Sequence, residues 1–194
     1  MAGCIVALTA TVALAQEATG FKAEYLKEFD QTSKNLLQLA DAMPADKYGW
    51  RPGPGVRSVS EVYVHLATAN YLLLALTGNK LPAEYYPDIK PTAKGEPDLH
   101  AIFARTGELE KTVTNKDQVI QMLRASIDAV RDQFSKATQA DLEKPTEFFG
   151  QKTTVRGIYL RLLAHLNEHY GQSIAYARVN GIVPPWSRKQ DSDK

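Results

Sequence analysis

TVRGIYLRLLAHLNEHYGQSIAYARVN, running from Thr154 to Asn180, places Val155, Tyr159, Leu162 and Leu166 at three- and four-residue steps. That is the period of an α-helix with a single apolar stripe. Gly181 and then Pro184-Pro185 end it, because glycine takes the left-handed cap and proline cannot continue the ladder. A helix this long with one apolar face needs partner helices to cover it. The rest of the chain supplies them. Phe21, Tyr25, Phe29, Leu36, Ala40 and Met43 predict a first helix over 21–43, stopped at Pro44. Ser58 and Glu61 have capping-box spacing and open a second helix that runs to about Thr77 and ends at Gly78. Thr114 with Asp117 is expected to cap a third, Lys116 to about Ala137, with Val119, Met122, Leu123, Ile127, Val130 and Phe134 on its apolar side.

The links differ in character. Trp50-Arg51-Pro52-Gly53-Pro54-Gly55 is too rich in Pro and Gly to be regular. Residues 78–97 carry Pro82, Pro87, Pro91 and Pro97 and read as a long, mostly irregular connection, followed by a short helix near 99–111. A further loop holds Pro145 and Phe148-Phe149-Gly150. No β-alternation and no internal repeat is visible. Four long amphipathic helices with one connection much longer than the others predict an all-α four-helix bundle with a long crossover. The short link after the first helix favours an antiparallel first pair.

Size and composition agree with one domain, expected over 16–194. The chain has 194 residues, 44% of them hydrophobic and 23% charged, too apolar for a disordered chain. A chain of this mass buries roughly 70% of its unfolded surface. With 23 Lys+Arg against 22 Asp+Glu the net charge is +1, and no basic cluster stands out, which argues against a nucleic-acid partner. Cys4 is the single cysteine, so neither a disulfide framework nor a Cys-rich zinc site is available.

Residues 4–15, CIVALTATVALA, form an uncharged apolar run shorter than the roughly 20 residues of a membrane span. With Ala13-Leu14-Ala15 before Gln16 it fits the apolar region and cleavage site of a signal peptide over 1–15, although no Lys or Arg precedes it. The expectation is an exported protein, periplasmic or secreted, without an integral membrane segment. The alternative is a cytoplasmic chain whose first residues pack as a helix on the domain.

Four histidines carry the chemical signal: His65, His100, His165 and His169. His165 and His169 are an i, i+4 pair, about 40° apart on a helix surface, so both rings reach one ion. His65 lies midway along the second helix, placed to supply a third ligand from a neighbour. On both helices the apolar stripe runs to one side of these histidines, which puts a shared site at the edge of the core. Three neutral imidazoles leave a divalent ion with open positions. The same positions equally fit hydrogen-bonded boundary histidines. Position 166 is Leu, so the H-E-x-x-H zinc-protease motif is absent. Glu168 and Gln172 are near enough to touch an ion-bound water, or are plain solvent-facing residues. His100 reads as a surface residue of the irregular middle region.

Taken together, these pieces resemble the DinB-like (damage-inducible) superfamily of four-helix-bundle metalloproteins. The matching segments are Trp50-Arg51-Pro52, and Arg57-Ser58-Val59-Ser60-Glu61 leading to His65-Leu66. His165 and His169 with Gly171-Gln172 follow, then Arg178, Gly181-Ile182 and Pro184-Pro185. The resemblance covers nearly all of residues 20–186. It implies that His65, His165 and His169 bind a divalent metal ion, zinc or nickel. Family relatives include transferases that use low-molecular-weight thiols such as bacillithiol or mycothiol, and a maleylpyruvate isomerase; members are often homodimers. An exported chain departs from that pattern, because such thiols are cytosolic. No residue can be carried over as a general base.

The resulting expectation is a divalent-metal-binding protein, acting as a metal-dependent hydrolase or transferase on a small molecule through an activated water or thiol. A non-catalytic metal- or ligand-binding bundle and a metal-free interaction bundle are the alternatives.

Overall fold

The computed structural model of the protein describes residues 20–188. The expected signal peptide, 1–15, lies outside the described residues. Among the described residues six α-helices follow in order: α1 (Phe21–Ala42), α2 (Val59–Ala75), α3 (Leu99–Thr112), α4 (Lys116–Lys136), the single turn α5 (Gln139–Leu142) and α6 (Val155–Val179). Four of these, α1, α2, α4 and α6, are the long bundle helices that the apolar periodicity predicts. The short α3 sits inside the long crossover.

Local chemistry sets the ends. At α2 the capping box is complete: the Glu61 N–H donates to Ser58 Oγ (3.3 Å) and the Ser58 N–H donates to Glu61 Oε2 (2.7 Å). Thr154 caps α6 by accepting from the Gly157 N–H at 3.2 Å. At α4 the cap is Asn115 rather than Thr114; its Oδ1 accepts from the Asp117 and Gln118 N–H groups. The two candidates are adjacent, and Asn is the stronger N-cap of the two.

Around the bundle, α1 packs on α4 and α6, and α2 packs on the same two helices. Thus α1 and α2 occupy opposite corners. Lys22 Nζ reaches the Ser135 and Ala137 carbonyls while Lys116 Nζ reaches that of Asp41, so α1 and α4 are antiparallel. Tyr176 bonds to Arg57, and Thr146, just ahead of α6, bonds to Leu76, so α2 and α6 are antiparallel. Tyr25 meets Tyr159 and Thr32 meets Asn167, which makes α1 and α6 parallel. The direction sequence is therefore up, down, down, up. The first pair is antiparallel as expected, but it spans the diagonal instead of forming a neighbouring hairpin. The physical reason is α2 itself, which is buried on almost every side. Only a position flanked by α4, α6 and α3 covers it.

Phe29, Leu36, Leu39, Leu66, Met122 and Leu123 are fully buried in the core of the bundle. At one end Tyr25, Phe134 and Tyr159 pack with ring centroids 4.1–5.9 Å apart. One feature departs from the all-helical expectation. Pro145–Phe148 and Gln151–Thr154 pair as a short antiparallel hairpin, β1–β2. Its turn, Phe149-Gly150, has positive φ at both residues (47° and 79°), as a tight two-residue hairpin requires. Thr146 Oγ1 donates to the Leu76 carbonyl at 2.8 Å, which ties the hairpin to the end of α2.

Candidate metal centre

The segment before α2 is folded against the helix start. The Val59 N–H donates to the Trp50 carbonyl and the Ser60 N–H to that of Tyr48. Arg51 pairs with Glu61 at 2.8 Å, and the Trp50 ring stands edge-on to Tyr176 at 5.3 Å. These contacts set Arg57 one residue before the Ser58 cap, beside the end of α6.

His65 of α2 faces His165 and His169 of α6. Ring centroids lie 5.2, 4.9 and 4.6 Å apart for the pairs 65–165, 65–169 and 165–169. Each ring offers one nitrogen, and these nitrogens all lie within 4.8 Å of one another. All three side chains are half-buried at the edge of the core. His100, by contrast, is exposed at the start of α3 and stands apart from the group.

Two of the three rings have their outward nitrogen occupied. His65 Nδ1 is 3.0 Å from Glu110 Oε1; an ionised carboxylate only accepts, so Nδ1 carries the proton and Nε2 is left with a free lone pair. His169 Nδ1 is 2.7 Å from Gln172 Oε1. The Gln172 amide donates to the Tyr176 hydroxyl (2.9 Å), which donates to the Arg57 carbonyl (3.0 Å). With the Gln172 carbonyl turned to His169, its Nδ1 is again the donor and Nε2 is free. His169 Nε2 lies 3.1 Å from His165 Nε2. Two nitrogens each about 2.0–2.1 Å from a single zinc ion stand roughly 3.0–3.4 Å apart, so the donor set and its spacing fit a divalent ion. A hydrogen bond on the far ring nitrogen is also what fixes the tautomer of a ligating imidazole.

Electrostatics favour the neutral rings that a metal needs. Burial, then the neighbouring His169 and His65, pulls His165 down to about 3. Burial also lowers His169, against the opposing hydrogen bond to Gln172. Glu110 goes the other way. Burial alone would raise its carboxyl, but hydrogen bonds from His65 and Arg57 and the Arg57 charge outweigh it and hold it below the ordinary carboxylate range. Arg57 Nε lies 3.0 Å from Glu110 Oε2. Arg57 therefore supports both outer partners, its carbonyl through Tyr176 and Gln172 and its guanidinium through Glu110.

Of the two flanking polar residues considered from spacing, Gln172 sits behind His169 as a hydrogen-bond partner. Glu168 is held by a two-pronged pairing to Arg161 at 3.1 and 2.8 Å. Sequence reasoning missed Glu110 altogether. Beside the histidines opens a cavity of about 330 Å³, walled by α2, α3, α6 and the hairpin tip, with Leu72, Leu73, Phe103 and Phe149 among its lining.

The model of the DinB superfamily matches residues 28–173, a span that holds all three clustered histidines. The chain belongs to the DinB superfamily. Among solved structures, a DinB-like protein from Bacillus cereus superposes with a TM-score of 0.61 at 20% identity, covering 83% of this chain and 93% of its own. A second DinB-like protein, from Bacillus subtilis, gives 0.59 at 16% identity over 86% and 99%. A mycothiol-dependent maleylpyruvate isomerase gives 0.61 at 10% identity over 78% of this chain and 60% of its own. At these identities the likeness shows a shared fold. No curated protein matches the chain. Among the described residues of this DinB bundle, no helix is long and apolar enough to cross a membrane.

Proposed function

We propose that this DinB protein is a metal-dependent transferase or hydrolase whose His65, His165 and His169 hold one divalent ion, zinc or nickel, by their Nε2 atoms. The observation that carries the reading is the paired outer bonds: His65 to Glu110 and His169 to Gln172 leave both Nε2 atoms free, that of His169 3.1 Å from His165 Nε2, in a group whose ligand nitrogens lie within 4.8 Å of one another. When bound, such an ion polarises a water, thiol or substrate oxygen and makes it more acidic. The chain's own residues do the rest. Burial keeps His165 and His169 unprotonated at neutral pH, ready as ligands. Glu110 and Arg57 fix the His65 ring, and both Glu110 oxygens are engaged, so Glu110 positions a ligand and does not serve as a base. The cavity beside His65 and His165 admits a small molecule to the open side of the site.

The test is calorimetric titration of chelator-treated protein with zinc and with nickel. One ion per chain in wild type, and none in His165→Ala or His169→Ala, is the expected result. Undiminished binding in both variants would remove these residues from the site.

A further inference from the structure

We propose that the ligand of this centre is an amphipathic small molecule, with a polar head at the histidines and an extended apolar chain lying between α2 and α3. The inference rests on the proposed function only for where the head sits.

The cavity is graded along its length. On α2 its wall passes from His65 through Ala69 to Leu72 and Leu73, an i, i+4, i+7, i+8 stripe. At about 1.5 Å rise per residue, His65 to Leu72 spans about 10 Å. The facing stripe on α3 runs from Glu110 through Gly107 to Phe103. Thr68, Thr106 and Arg161 also line it, within about one turn of the histidine end, and beyond them Leu72, Leu73, Phe103 and Phe149 make the far end apolar. The two arginines on the wall do not alter this: Arg57 is paired with Glu110 and Arg161 with Glu168, at 3.0 and 2.8 Å. A dianionic ligand would find no unpaired cation along the channel, whereas an apolar chain finds leucine and phenylalanine.

Two residues fit a channel that is kept open. Gly107 lies inside α3, where glycine is a poor helix former. A Cβ built on it meets nothing within 4 Å, so close packing does not demand glycine there. A larger side chain at 107 would occupy the channel. At the far end, Phe149 takes the left-handed conformation (φ 47°) in a turn where Asn or Gly is the unstrained choice. The residue is 56% exposed, and its ring stacks on Phe103 with centroids 5.8 Å apart. Together these rings form an aromatic lip over the apolar end.

The test uses straight-chain hydroxamic acids, from acetohydroxamic to octanohydroxamic acid, titrated into the zinc-loaded full chain. The matching carboxylic acids are titrated into chelator-treated protein. Affinity is expected to climb about threefold to fourfold per methylene until the channel is filled. Gly107→Leu is expected to abolish that climb while zinc content is kept and Tm is not lowered. Phe149→Asn is expected to weaken the longest probes severalfold, also without loss of Tm. Affinity independent of chain length in zinc-loaded wild type overturns the inference and leaves the metal centre standing. So does a climb unchanged in both variants. A protein that takes up no zinc but still binds longer carboxylates more tightly supports the channel and contradicts the metal centre.

Discussion

Glu110 shows most directly how single side chains build the centre. Its two oxygens join Arg57 to His65, so the carboxylate both orients the ring and fixes its proton on Nδ1. Glu110→Gln keeps the size but removes the charge and one acceptor. We expect metal affinity to fall about 10- to 100-fold, with Tm of the metal-free protein nearly unchanged, measured by competition with a chromophoric chelator. Undiminished affinity would show that the carboxylate does not position His65. The histidines were legible in the sequence because i, i+4 spacing on one helix is a local signal. His65 was placed by its position at the edge of an apolar stripe. Glu110 left no such trace, since it is 45 residues from His65 and reaches it only through the packing of α3 on α2. Gln172 was seen as a neighbour of the pair, but whether it faced the space between the rings or backed His169 depended on the ring orientations.

At the level of elements, the capping box at α2 sets the entry angle of the helix that carries His65. Burial would raise the Glu61 carboxyl, but the Ser58 N–H and Arg51 hold it below the ordinary carboxylate range. Because the folded value is depressed, the stabilisation is present at neutral pH and lost as pH falls through that lowered value. Chemical denaturation of wild type and Glu61→Gln should show a gap of about 0.5 kcal/mol at pH 7, since Gln still completes the capping box, and that gap narrows on acidification. A gap constant down to about pH 3 would mean that the ionised form contributes nothing. The helices were readable from period and caps; the hairpin was not. Neither strand has a fully buried residue, β1 alternating exposed and half-buried positions and β2 running from exposed to half-buried, so no apolar period-2 pattern marks them, and Phe149-Gly150 replaces the Asn-Gly that announces such a turn. The left-handed Phe149 costs about 1–2 kcal/mol, and Phe149→Gly is expected to raise Tm. A lowered Tm would mean that ring contacts outweigh the backbone strain.

On the scale of the whole molecule, the superfamily fold brings two helices distant in sequence into antiparallel contact at the three histidines, and the crossover lays α3 on α2. Periodicity showed the four long helices and where the long link falls; the single turn α5 left no such mark. Their cyclic order depended on α2 being apolar nearly all round and needing three covering neighbours, a property of the assembled bundle. An ion that binds only this assembled state stabilises it by mass action. Zinc at 100 times its Kd should add about 2.7 kcal/mol and raise Tm by roughly 5–10 °C, reversibly with chelator; an unmoved Tm would argue that the three rings hold no ion. The export reading of residues 1–15 makes a separate prediction. Protein from a secreting bacterial host should begin at Gln16, and a retained Met1 on cytosolic protein would contradict it.

The central claim is that three histidines from α2 and α6 hold one divalent ion. The measurement that tests it is elemental analysis of protein expressed without added metal and never exposed to a nickel resin, beside a variant with His65, His165 and His169 all replaced by alanine. The account predicts about one zinc or nickel per chain in wild type and none in the variant. Equal metal content in the two, or no metal in wild type even after incubation with zinc and nickel, would contradict it.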